Sequence, residues 1–157
     1  MTLYFLVKYL HVLGAIVILG TGIAFFMLMA HRSGEASFIA RTATTVVIAD
    51  MLFTLTAVLL QPVTGGLLMM LSSTGFTELW ISASLGLYAA AGLFWVPVIF
   101  MQIEMRDLAR GAAAENAALP PRYFVLFRRW FLFGIPGFGS VMLILWLMIA
   151  KPVLVDL

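Results

Sequence analysis

The chain has 157 residues, of which 64% are hydrophobic and 10% charged, with a mean hydropathy of +1.12. A soluble domain is nearer half apolar and a quarter charged, so this composition places the chain in a bilayer and its length in one domain, 1–157. It has no cysteine, which excludes disulfides and cysteine-ligated zinc or iron–sulfur centres. The net charge of +2 does not point to nucleic acid, because the basic residues cluster beside apolar segments rather than along a polar surface.

Four apolar runs each reach the roughly 20 residues that a membrane helix needs. The first covers Leu3 to Ala30 and contains Lys8 and His11, with His31 closing it. The h-region of a cleavable signal is roughly 7–15 residues and follows a basic segment. Here the run is longer and Lys8 falls within it, so a retained helix is expected. The second helix is expected over 45–71, the third over 79–103 and the fourth over 130–150, ending at Lys151-Pro152. The connections are then His31–Thr44, Ser72–Glu78 and Glu104–Arg129, the last holding GAAAENAALPPR, a polar linker closed by a Pro-Pro breaker. Long runs without dyad alternation are helices, since only helices and closed barrels satisfy the backbone in lipid. The expected fold is therefore all-α, an integral membrane four-helix bundle.

Arginine placement orients the bundle. The first connection carries Arg32 and Arg41, and the third carries Arg106, Arg110, Arg122, Arg128 and Arg129. The middle connection has no basic residue, and Lys8 and Lys151 flank the opposite side. Seven against two puts the first and third connections in the cytoplasm and both termini on the outer, periplasmic side of a bacterial inner membrane.

Polar and small residues recur at helical spacing within the runs. The second helix carries Asp50, Thr54, Ala57, Gln61 and Thr64; the third carries Ser84, Tyr88, Trp95 and Gln102; the fourth carries Arg129, Pro136 and Ser140. Such stripes mark helix–helix seams in membranes, or the wall of a polar pocket within a bundle.

An ionisable residue inside a span is a functional-site candidate. His11 is the first of these, either as a ligand or as a neutral imidazole bonded across the bundle. Lys8 is expected to snorkel outward. Asp50 is a candidate for a proton relay or for a structural ion pair with Arg128 or Arg129. His11 and His31 are twenty residues apart, about 30 Å along a helix and on nearly opposite faces, so no single haem takes both. If His11 binds haem iron, the other ligand is water, a different side chain, a second protomer, or a methionine at similar depth: Met69, Met70, Met142 or Met148. Methionine is also ordinary bundle filler.

The motif Lys8-Tyr-Leu-His11 followed by Gly14 and Gly20 resembles the first helix of the CopD/HemJ-like superfamily. His31 matches a second histidine at the end of that helix. Gln61-Pro62…Gly65 resembles a proline-containing turn of the second helix. Lys151-Pro152 and Arg122-Tyr123-Phe124…Phe127-Arg128 resemble the end of the last helix and the region before it. Over nearly its full length the chain is most similar to a family of predicted integral membrane proteins within that superfamily.

For HemJ-like proteins the resemblance implies haem b and protoporphyrinogen oxidation; for CopD-like proteins it implies copper handling. Trp80 is followed by Ile81-Ser82-Ala83-Ser84, without the lysine that HemJ-like proteins carry early in the third helix. Porphyrinogen oxidation is therefore not carried over, whereas haem ligation needs only the first motif.

The leading expectation is a haem-b redox protein with His11 on the iron (the metal ligand) and Lys8, His31, Gln61, Tyr88 and Trp95 as further cofactor-binding candidates. Its electron partner would be quinone or a respiratory complex, and a homo-oligomer is one form it could take. One alternative is a non-catalytic membrane subunit or assembly factor without cofactor. Another is copper handling or transport through His11 and methionine thioethers, which suit Cu(I). The sequence offers no nucleotide loop, carboxylate pair or Ser/His/Asp set, so hydrolytic chemistry has no support.

Overall fold

The computed structural model describes residues 2–20 and 23–152. Six α-helices follow one another: α1 (Thr2–Gly20), α2 (Ile23–Ser33), α3 (Ala36–Ala49), α4 (Leu55–Ser72), α5 (Leu79–Ala114) and α6 (Pro121–Ala150). A π-helical turn, Asp50–Thr54, joins α3 to α4. The first expected helix crosses residues 21–22, which lie outside the described residues. Four helical stretches are long and apolar enough to cross a membrane: Thr2–Ser33, Ala36–Ser72, Leu79–Ala114 and Pro121–Ala150. The protein is an all-α, four-helix membrane bundle, and no strand occurs among the described residues.

The helices outrun the apolar segments at the arginine-rich end. Instead of starting at 45, the second span starts at Ala36, with only Gly34 and Glu35 separating it from α2. Its added turns bury Ile39, Ala40 and Ala43, continuing to Val46 and Val47, a helical stripe facing the bundle. The third span continues from 103 to Ala114, and Met105, Ala109 and Ala112 extend its buried stripe by three turns. On the other side of those turns Asp107 pairs with Arg106 at 2.8 Å and lies 3.9 Å from Arg110. The fourth span begins at Pro121 rather than 130, with proline in the first turn, where its missing N–H costs nothing. Hydropathy ends where the lipid ends. Helical amphipathy continues because these turns bury one face against their neighbours and wet the other. The 36-residue α5 is about 54 Å long, well beyond a roughly 30 Å hydrocarbon layer.

The core is therefore uneven. At the arginine-rich end Met27 of α2, Ile39 and Ala43 of α3, Met105 of α5, and Tyr123 and Trp130 of α6 form one buried cluster. Toward the opposite end the bundle resolves into two helix pairs, α1 on α4 and α5 on α6. Within α1 only Val7 is buried. An open apolar cleft of about 540 Å³ lies at the end of α4, lined by Gly66, Met69, Met70 and Phe76 among others.

Candidate functional site: a histidine seat on a proline-containing helix

Two separate motifs of the sequence meet where α1 packs on α4. His11 Nδ1 lies 2.8 Å from Thr64 Oγ1. The Gln61 amide donates to the His11 backbone carbonyl at 2.9 Å. Two glycines lie against these side chains. A Cβ placed on Gly14 would lie 2.9 Å from Gln61 Nε2, and one on Gly65 would lie 3.4 Å from His11 Cε1. The glycines that accompany the histidine and proline motifs are thus the floor and wall of a single seat.

The hydrogen-bond inventory assigns the imidazole tautomer. A threonine hydroxyl carries one hydrogen. That of Thr64 donates within α4, to Leu60 O at 2.8 Å, with Gln61 O at 3.2 Å sharing it. Thr64 Oγ1 is then the acceptor for His11, so Nδ1 bears the proton and Nε2 keeps its lone pair. Nε2 has no hydrogen-bond partner among the described residues. A histidine held at Nδ1 by an oxygen acceptor, with Nε2 free, is the arrangement that orients a metal-binding imidazole.

Pro62 shapes the next part of the site. Proline cannot donate to the carbonyl four residues back, which here is Val58. The Tyr88 hydroxyl of α5 donates to Val58 O instead. This ties the α1/α4 pair to α5 at the depth of the histidine seat. The Met69 side of the open cleft lies one turn beyond Gly65 on the same α4 face.

A second polar group lies nearer the arginine-rich end. Asp50, at the start of the π turn, is 2% exposed, and Gln102 of α5 is 1% exposed. The Gln102 amide satisfies both neighbours in one orientation: Nε2 donates to Asp50 Oδ2 at 2.8 Å, and Oε1 accepts from Trp130 Nε1 at 3.2 Å. Thr54 sits one turn after Asp50, buried and without a hydrogen-bond partner among the described residues.

The remaining candidates are dispersed. Lys8 is exposed, its Nζ 5.8 Å from the centre of the Tyr4 ring. His31 stacks on Phe127 of α6, ring centres 3.6 Å apart, with Tyr123 at 5.8 Å, so the two histidines have different helix partners. Trp95 is half-buried on α5. Arg128 and Arg129 are exposed, and neither pairs with Asp50 among the described residues; the acid's partner is the neutral Gln102. Of the candidates, then, His11 and Gln61 share one seat and Tyr88 closes its proline side. Thr64 and Gln102 carry the deciding contacts, and the only sign of them in the sequence is their place on the polar stripes. Among the described residues no three or more of His, Cys, Asp and Glu converge on a point.

The family model "Predicted integral membrane protein (DUF2269)" matches residues 5–152. The chain belongs to this family. The match takes in both halves of the histidine seat and the Asp50–Gln102–Trp130 chain, so both polar groups are contained in the segment that defines a DUF2269 protein. No curated protein and no solved structure matches the chain.

Proposed function

We propose that this DUF2269 protein is a haem-b-binding redox protein of the bacterial inner membrane, with His11 Nε2 as an axial ligand. The observation that carries the reading is the free Nε2 of an imidazole whose Nδ1 is fixed by Thr64. An unpaired polar atom in a lipid-facing helix is costly, and iron ligation removes that cost. An open apolar cleft begins one turn along α4, lined by Met69 and Met70 and not by His11 itself, and the helix faces flanking His11 are apolar, as a porphyrin requires. Bound there, haem would supply one-electron chemistry. His11 would hold it, Thr64 would orient His11, and Gln61 and Gly14 would keep α1 close to α4. The superfamily resemblance of the first helix agrees with this reading. With the orientation expected from the arginines, the histidine seat would lie in the outer leaflet and Asp50 toward the cytoplasmic side.

An absorption spectrum of detergent-purified protein, as isolated and after dithionite, tests it. A Soret band that shifts on reduction and vanishes in His11→Ala is expected. Protein absorption alone, from cells supplied with haem precursors, overturns it.

A second reading rests on α1, in which only Val7 is buried. A membrane subunit that docks through this apolar helix, without cofactor, would be colourless and would copurify with a larger complex.

A further inference from the structure

We propose that Asp50, with Thr54 and Gln102, forms a proton-binding site inside the membrane, independent of any haem at His11. Three features of the fold carry this. The first is isolation. Asp50 is buried, and no lysine, arginine or histidine nitrogen lies within 4.0 Å of it among the described residues; the ion pairs there all involve Glu104 or Asp107. Across the bundle the group facing it is the neutral Gln102 amide of α5, with Trp130 of α6 behind that amide. The helices α1 and α3 also pack on the π turn, and their ionisable groups are turned elsewhere, Lys8 and Arg41 exposed and His11 bonded to Thr64. The nearby cations of α6, Arg128 and Arg129, are exposed. A proton is the smallest charge that can compensate a carboxylate in such a place.

The second feature is that the partners fit both states. Gln102 Nε2 donates to Oδ2 whether or not the acid is protonated. The buried Thr54 hydroxyl, one helical turn on from Asp50, has no hydrogen-bond partner among the described residues. A hydroxyl rotor can donate to a carboxylate and can equally accept from the neutral acid. Protonation adds one hydrogen at Oδ1, the oxygen Gln102 leaves free, and no bond breaks. Trp130, donating to Oε1, holds the Gln102 amide in the one orientation that presents nitrogen to Asp50. The third feature is the backbone: Asp50 opens a π turn inside an otherwise α-helical span, a local insertion often found at functional sites.

The test uses dicyclohexylcarbodiimide, an apolar reagent that adds across a protonated carboxyl to leave a stable acylurea. The whole protein in liposomes is treated across a pH series, and adducts are assigned by peptide mass. The expected result is an adduct on the peptide carrying Asp50, absent from Asp50→Asn, with a yield that falls as pH rises. The exposed acids Glu35, Asp107 and Glu115 react instead with a water-soluble carbodiimide. Asp50→Asn keeps an oxygen for Gln102 and should fold; if it does not, the assignment by mass in the native protein still reads the site. A folded native protein with no adduct at Asp50 at any pH overturns the proposal. So does an adduct whose yield does not change with pH.

Discussion

Pro62 and Tyr88 are coupled through a backbone atom that belongs to neither. Proline leaves the Val58 carbonyl without its helical donor, and the Tyr88 hydroxyl from the neighbouring span replaces it. In lipid no water stands in for a missing donor. The proline therefore selects where a tyrosine must sit on α5, and the pair fixes the height of α4 against α5 beside the histidine seat.

Tyr88→Phe should lower the melting temperature in detergent, because an unmet carbonyl inside the bundle costs about 1–3 kcal/mol. Pro62→Ala restores the helical N–H to Val58. The double variant should then recover most of the loss, giving a clear interaction energy in a double-mutant cycle. Additive losses would show that the two residues act separately.

Gly14→Ala should loosen α1 from α4, since the new methyl would sit 2.9 Å from Gln61 Nε2. The atom displaced is the far end of the flexible Gln61 side chain, so the cost is that of its hydrogen bond to the His11 carbonyl, about 0.5–1.5 kcal/mol. Gly20→Ala is the control, because nothing lies within 4 Å of a Cβ there. A cysteine pair placed across the α1–α4 contact reports the change as slower disulfide formation in Gly14→Ala and an unchanged rate in Gly20→Ala.

Thr64→Val keeps the shape of the side chain but removes the acceptor for His11 Nδ1. Loss of such an orienting partner typically weakens a bound metal centre about 10–100-fold. Haem titration should show this weakening, with the Soret band retained at saturation. His11→Ala should lose the band altogether.

Gln102→Leu should be more damaging than Asp50→Asn. The first strands a buried carboxyl and the Trp130 indole N–H together, whereas the second keeps an oxygen for Gln102. A cost of about 1–3 kcal/mol per stranded group is expected, read as a lower melting temperature. Trp130 fluorescence should shift in Gln102→Leu, since its N–H loses its acceptor.

The polar stripes read from the chain did mark interior faces. Asp50, Thr54, Ala57 and Thr64 are buried, as are Ser84, Gln102 and Ser140. Arg129, placed on the fourth stripe, is exposed instead, because α6 continues past the lipid there and a guanidinium is best left in water. The stripes gave no pairing. Spacing along one helix says which residues share a face, but not which helix that face meets or at what height. Gln61 and Thr64 on His11, Gln102 on Asp50, and Tyr88 on Val58 all depend on the relative rotation and offset of two helices.

What the sequence determined by itself is the membrane and the four spans. These follow from a local quantity, the run of apolar side chains long enough to cover a backbone that lipid cannot solvate. The three helix extensions at the arginine-rich end, of the second, third and fourth spans, escaped that measure, because beyond the lipid a helix is held by its buried stripe rather than by mean hydropathy. The tertiary structure alone decided that the histidine and proline motifs form one seat, and that the intramembrane acid faces an amide instead of an arginine. Those choices rest on close packing at Gly14 and Gly65 and on hydrogen bonds between residues roughly fifty positions apart, and no local pattern in the chain encodes them.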